Sequence, residues 1–131
     1  MRLLMFHVDS FWYKPEGAAD ADCVELAESL LVWIHSEPPD AENQTRVLRK
    51  MLKNIKWLAQ KVGVKSIILH SFAHLDENKA EPEVADALIE ETGRRLRERD
   101  FDVHIVPFGR FYEFSPHVKG PSLAKVFKHI T

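Results

Sequence analysis

The chain has one cysteine, Cys23, in 131 residues, which excludes an intramolecular disulfide and any cysteine-based zinc cluster. Cys23 reads as a small hydrophobe of the interior. No apolar run approaches the roughly 18 to 20 residues of a membrane span. The opening Met1-Arg2-Leu3-Leu4-Met5-Phe6 meets His7 and Asp9 too soon for a signal peptide, so a soluble, cytoplasmic protein is expected. Also missing are Gly-x-Gly-x-x-Gly, a P-loop, Gly-x-Ser-x-Gly and His-Glu-x-x-His, the signatures of nucleotide hydrolysis, a serine elbow and a helical zinc site. Two stretches lack charge of one sign. Glu16 to Glu42 holds eight acids and no Lys or Arg, whereas Asn43 to Lys65 holds seven bases and no acid.

The chain is 45% hydrophobic and 29% charged, a composition that suits one globular domain with a real core. Its net charge is only −2, so the sorting of charge matters more than the sum. Two readings fit. The acidic and basic stretches are solvated faces that attract each other within or between subunits, or the basic helix meets phosphates while the acidic segment faces elsewhere.

Periodicity organises the rest. Residues 2 to 8 read as a first strand and Phe11-Trp12-Tyr13 as a second, joined at Asp9-Ser10. Residues 42 to 62 read as an amphipathic helix, with Leu48, Met51, Leu52, Ile55, Leu58 and Val62 on one face and Gly63 to end it. Pro82 opens a second helix, with Glu81, Glu83 and Asp86 at its start and Arg94, Arg95, Arg97 and Arg99 near its far end. The β-branched runs at 66–71 and 102–107 read as buried strands, giving an α/β alternation. Between them, Asp22 to Ile34 shows helical spacing at Cys23, Leu26, Leu30 and Ile34, although Leu30 to Ile34 alone resembles a buried strand. A helix is favoured for its first half, and Pro38-Pro39 closes the segment.

Both buried runs spill into short polar motifs, Ser71-Phe72-Ala73-His74-Leu75 and Pro107-Phe108-Gly109. Loops at strand ends are where a rigid scaffold presents chemistry, so His74 and the Phe108-Gly109 backbone are candidates for one site. His74 equally suits a turn cap or a carboxylate partner. His7, Asp9, His70 and His74 form a conceivable metal set, but His70 and His74 lie at a strand-to-turn junction rather than on one helical face. Trp33 and Trp57 read as core or subunit interface. Trp12 and Phe111 are better placed for base stacking, because they flank the expected site.

Four motifs then occur in register: Met1 to Asp9, Phe72-Ala73-His74-Leu75, Ala80-Glu81-Pro82-Glu83-Val84-Ala85, and Pro107-Phe108-Gly109 followed by Lys119-Gly120 and Leu123-Ala124. Together they resemble the amino-terminal editing domain of archaeal threonyl-tRNA synthetase across essentially the whole chain. The resemblance implies an α/β fold like that of the D-aminoacyl-tRNA deacylases, with mixed β-sheet layers packed with two main helices. It implies a single editing domain over residues 1 to 131, set in a longer synthetase or editing protein, and a homodimer. The implied reaction is hydrolysis of serine from the 3′ end of mischarged tRNA(Thr), with no cofactor and no metal. Serine lacks one methyl of threonine, and a pocket gains only about 1–3 kcal/mol from such a group, so a second, excluding site has work to do.

Carried across residue by residue, the resemblance places His74 beside the ester. His7 and Asp9 would line the site, although Asp9 equally suits a turn. Phe72, Ala73, Ala85, Ser36 and Glu37 match places where the family makes substrate contacts, mostly through backbone. Phe108, Gly109 and Phe111 would form the pocket wall. Two positions depart from the family: Tyr112 stands where a lysine is common, and Lys125 where a glutamate is expected. Either backbone amides and the 2′-hydroxyl of the terminal adenosine sustain catalysis, with Tyr112 or Lys125 as partial substitutes, or the domain is a catalytically inactive tRNA-binding or dimerisation module.

Overall fold

A computed structural model describes the whole chain, Met1–Thr131. Its spine is β1, Arg2–Pro15, a single strand of 14 residues rather than the two expected. The break foreseen at Asp9-Ser10 is a bulge: pairing with the last long strand slips between Val8 and Ser10, and Asp9 is left outside the ladder. A bulge bends a strand without ending it, so a polar pair inside an apolar pattern reads like a turn.

The expected helix after Asp22 is absent. In its place stand β2, Val24–Leu26, and β3, Ser29–His35. Strand β2 pairs with Phe11 to Tyr13, and β3 with Arg2 to Val8. Six of the seven residues of β3 are buried, so both its faces are apolar and two-residue alternation is lost.

The next elements follow the sequence closely. Helix α1 spans Gln44–Val62, preceded by a short turn of helix over Pro38–Glu42, and ends on Gly63 at φ 78°. It buries Val47, Met51, Ile55, Leu58 and Ala59. The four larger residues are each worth about 1.5–3 kcal/mol of transfer free energy. Strand β4 is Ser66–Ser71, and helix α2, Pro82–Glu98, has proline in its first turn. Gly93 lets α2 lie close on the sheet, since a Cβ there would stand 2.7 Å from Ile105 Cδ1. Strand β5 is Asp102–Ile105, two residues shorter than expected. Strands β6, Tyr112–Val118, and β7, Lys125–His129, complete the chain.

All seven strands form one mixed sheet, ordered β2-β1-β3-β4-β5, with β6 and β7 also on β1. Strands β3, β4 and β5 are parallel, and every pairing of β1 is antiparallel. One face packs on α1 and α2 through a cluster of 20 buried residues. The other face is folded over on itself. Phe11 and Tyr13 lie 6.1 Å and 5.7 Å, ring to ring, from His70 and His104, residues of strands that β1 does not neighbour in the sheet. Strand β6 follows the bent half of β1, so Phe114 reaches Trp33, His70 and Phe72. No helix is long and apolar enough to cross a membrane.

Candidate active site

The parallel strands β3, β4 and β5 discharge their loops at one edge. There the expected residues Ser36, Glu37, Phe72, Ala73, His74, Phe108, Gly109 and Tyr112 are found, with the start of α2 beside them. Ala80 N–H donates to Ser36 O at 2.8 Å, tying the approach to α2 to the end of β3.

A residue not foreseen from sequence builds the His74 turn. His35, fully buried at the end of β3, accepts the Leu75 N–H at Nδ1 (3.1 Å) and donates Nε2–H to Asn78 O (2.7 Å). These two bonds fix its neutral tautomer and fasten both sides of the loop. Its partners lie 40 and 43 residues away, so no local pattern signals it. Within the turn, His74 N–H donates back to Phe72 O at 2.9 Å, a tight three-residue turn that leaves the imidazole exposed, 5.0 Å from the Phe72 ring. The Phe72 ring in turn stacks on Trp33 at 4.2 Å, which puts Trp33 in the core as expected.

The Pro107–Phe111 loop is pinned from β6. Tyr112 O–H donates to Pro107 O at 2.8 Å, and burial holds the phenol above its ordinary range, so the hydroxyl stays protonated and committed to that carbonyl. Gly109 turns the loop at φ 89°, a conformation that a side chain would strain. Phe108 is about one third exposed, and Phe111 is 81% exposed, so within one copy Phe111 stands out rather than lining a wall.

Backbone donors are free where the chemistry is expected. The N–H groups of Ala73, Phe108 and Gly109 make no hydrogen bond within the protein, whereas Arg110 N–H closes the Phe108-Gly109 turn. By contrast, Glu37 N–H donates to Asp40 Oδ2 at 2.7 Å, and Ala85 N–H to Glu81 O at 3.2 Å. The Glu37 side chain is also occupied, by the Met1 amino group (2.8 Å), Arg2 (3.4 Å) and His129 (3.1 Å). Burial opposes its charge, but the Met1 amine and Arg2 outweigh that and keep its carboxyl below the ordinary range.

Three buried side-chain polar atoms have no hydrogen-bond partner: Trp33 Nε1, Ser36 Oγ and His70 Nδ1. Such atoms are uncommon in folded proteins, and all three belong to the far halves of β3 and β4 or the residue just beyond. His70 is ringed by Phe11, Phe72, Tyr112 and Phe114, and burial pushes its pKa down to about 4. It is a neutral imidazole at pH 7.

Other candidates lie elsewhere. His7 is level with Leu30 and Ile67, four residues along β4 from Ser71, or about 13 Å. Its Nε2–H donates to Glu28 at 2.7 Å, and Asp9 pairs with Lys119 at the bulge. Lys119 holds the Asp9 carboxyl below its ordinary range. No three His, Cys, Asp or Glu side chains gather as a metal-sized group, so His7, Asp9, His70 and His74 are not one ligand set. Lys125 donates to Gly120 O at 2.9 Å, closing its own turn. Trp12 does not flank the site: it borders shallow hollows with Cys23, Glu25 and Leu26 at β2. Cys23 is half-buried rather than a core residue.

A family model for the archaea-specific editing domain of threonyl-tRNA synthetase matches residues 1–130. The chain belongs to that editing-domain family. The threonine–tRNA ligase of Thermococcus kodakarensis is 32% identical over 139 aligned positions, covering 99% of this chain and 22% of the ligase. The enzyme of Methanosphaera stadtmanae is 30% identical, covering 100% of this chain and 23% of the ligase. The editing domain thus spans less than a quarter of these relatives. Two solved structures share its fold: one titled as a c-Myc DNA unwinding element binding protein (TM-score 0.74, 13% identity, 98% of both chains), and one as a probable eukaryotic D-amino acid tRNA deacylase (TM-score 0.68, 10% identity, 97% of both chains). The expected deacylase-like α/β fold is the observed one.

Proposed function

We propose that this domain hydrolyses the ester of serine mischarged on tRNA(Thr), acting on the tRNA 3′ end in the cytoplasm. The observation that carries this reading is the set of unengaged N–H groups at Ala73, Phe108 and Gly109, in the turns that leave β4 and β5. Backbone donors of this kind stabilise the oxygen of a tetrahedral intermediate without any particular side chain. Water adds to the seryl carbonyl carbon, and the bond from that carbon to the ribose oxygen breaks. One proton of the water ends on the ribose oxygen, and serine leaves as its acid. The 2′-hydroxyl of the terminal adenosine positions the water and relays the proton, and His74 orients the substrate.

The same reading includes a homodimer. Phe127 is half-exposed opposite half-buried Leu4 across β7 and β1, and Phe111 projects from the site loop, so an apolar surface remains for a second copy. The direct test is single-turnover deacylation in chelator of seryl-tRNA(Thr) ending in adenosine or in 2′-deoxyadenosine. We expect the deoxy substrate to lose at least about 100-fold, the scale of a proton-transfer contribution. Equal rates would remove the hydroxyl from the mechanism. No turnover of either would leave an inactive tRNA-binding module.

A further inference from the structure

At the opposite end of β4 from His74, α1 and α2 frame a cavity of about 990 Å3. Six cations line it: Arg49, Lys53 and Lys56 of α1, Lys65 before β4, and Arg95 and Arg99 where α2 ends. No acid does. Only Arg95 has an ion-pair partner, Glu91 at 3.0 Å. The floor is apolar, with Leu52, Trp57 and Phe101, and Lys65 rests 5.8 Å over the Phe101 ring. Trp57 is 47% exposed, so it belongs neither to the core nor to any interface within this chain.

Six like charges around one concavity oppose folding, and a chain of net charge −2 does not need them for solubility. An apolar floor beneath one sign of charge focuses their field toward the opening. Arg49, Lys53 and Lys56 follow helical spacing, so they form a row with steps of about 5–6 Å. Such a row meets a partner with regularly repeated negative charge.

The acidic stretch of a second copy is a poor candidate. Four of its eight acids, Glu37, Asp40, Glu28 and Asp20, are already engaged by Met1, Arg2, His7, Lys119 and Lys14. The substrate class of the editing family supplies the alternative. We propose that the groove holds the sugar–phosphate backbone of the RNA whose 3′ end is delivered to the His74 edge, a proposal that rests on the tRNA reading above. The groove runs along α1 from Thr45 to Gly63, and its Lys65 end lies the length of β4, about 20 Å, from the His74 edge, so that end meets the body of the RNA and not its last nucleotide.

The test measures binding of uncharged tRNA(Thr) across about 50–200 mM salt, where phosphate contacts dominate the dependence. The wild-type chain is compared with the triple variant Lys53→Gln, Lys56→Gln, Arg99→Gln, and circular dichroism verifies that both are folded. We expect the variant to bind at least about 10-fold more weakly, with a log–log salt slope shallower by about 2–3. In deacylation its KM rises while kcat holds. Unchanged affinity, slope and KM would overturn the groove. So would a wild-type chain that ignores tRNA but binds poly-glutamate, since the partner would then be an acidic protein. Uncharged tRNA carries no aminoacyl ester. Groove-dependent binding without hydrolysis would therefore fault the catalytic reading alone.

Discussion

At the scale of single residues, histidines carry the account, and their partners divide their roles. His35 is a neutral clamp under the His74 turn, His7 is a buried ring hydrogen-bonded to exposed Glu28, and His70 is an imidazole buried among aromatic rings. His70 yields a prediction with a definite sign. Its pKa falls from 6.5 to about 4 on folding, so between those values the unfolded chain binds the proton that the folded chain refuses. Stability is therefore intact above pH 6.5, declines as pH falls through that window, and is lower by on the order of 3 kcal/mol below pH 4. His104 adds in the same direction, because burial lowers its pKa too. Urea melts across this range should show the decline, and His70→Phe should flatten it. An equally steep decline in His70→Phe would assign acid sensitivity to other groups. None of this was legible beforehand, since a histidine at the end of an apolar run looks the same whether it is buried, capping or catalytic.

At the scale of elements, what could be read from sequence depended on whether an element carries its own pattern. Helix α1 shows its apolar face and its Gly63 stop, and α2 its Pro82 start, so both were legible to within two residues. Strands β4 and β5 were legible as β-branched runs. Strands β2, β6 and β7 were not, because half-exposed strands of three to seven residues exist only through their pairing with β1. The candidate site is split the same way. Its turns were visible, but the tie from β6 through Tyr112 to Pro107 was not. From that tie we expect Tyr112 to position the loop rather than to act on the substrate. Tyr112→Phe should lose about 1 kcal/mol of stability, the worth of one hydrogen bond, and keep kcat for serine removal within about threefold. A loss of 100-fold or more at unchanged stability would make the hydroxyl catalytic after all.

At the scale of the whole molecule, one bent strand organises two faces. The bulge at Asp9 folds the aromatic face onto itself and encloses His70 beneath the site edge, while the flat half of the sheet carries the helices and their basic groove. Charge sorting was plain in the sequence, but its use was not. Glu37, Asp40 and Glu28 of the acidic stretch serve the amino-terminal corner and the bulge, and no acid of the chain forms an ion pair with the basic stretch. The decisive measurement is the pair of first-order rate constants for loss of serine and of threonine from tRNA(Thr), with this chain in excess and chelator present. We expect serine to leave at least about 100-fold faster than threonine, as steric exclusion of one methyl allows. Equal rates, or no serine loss above the spontaneous rate, would contradict it.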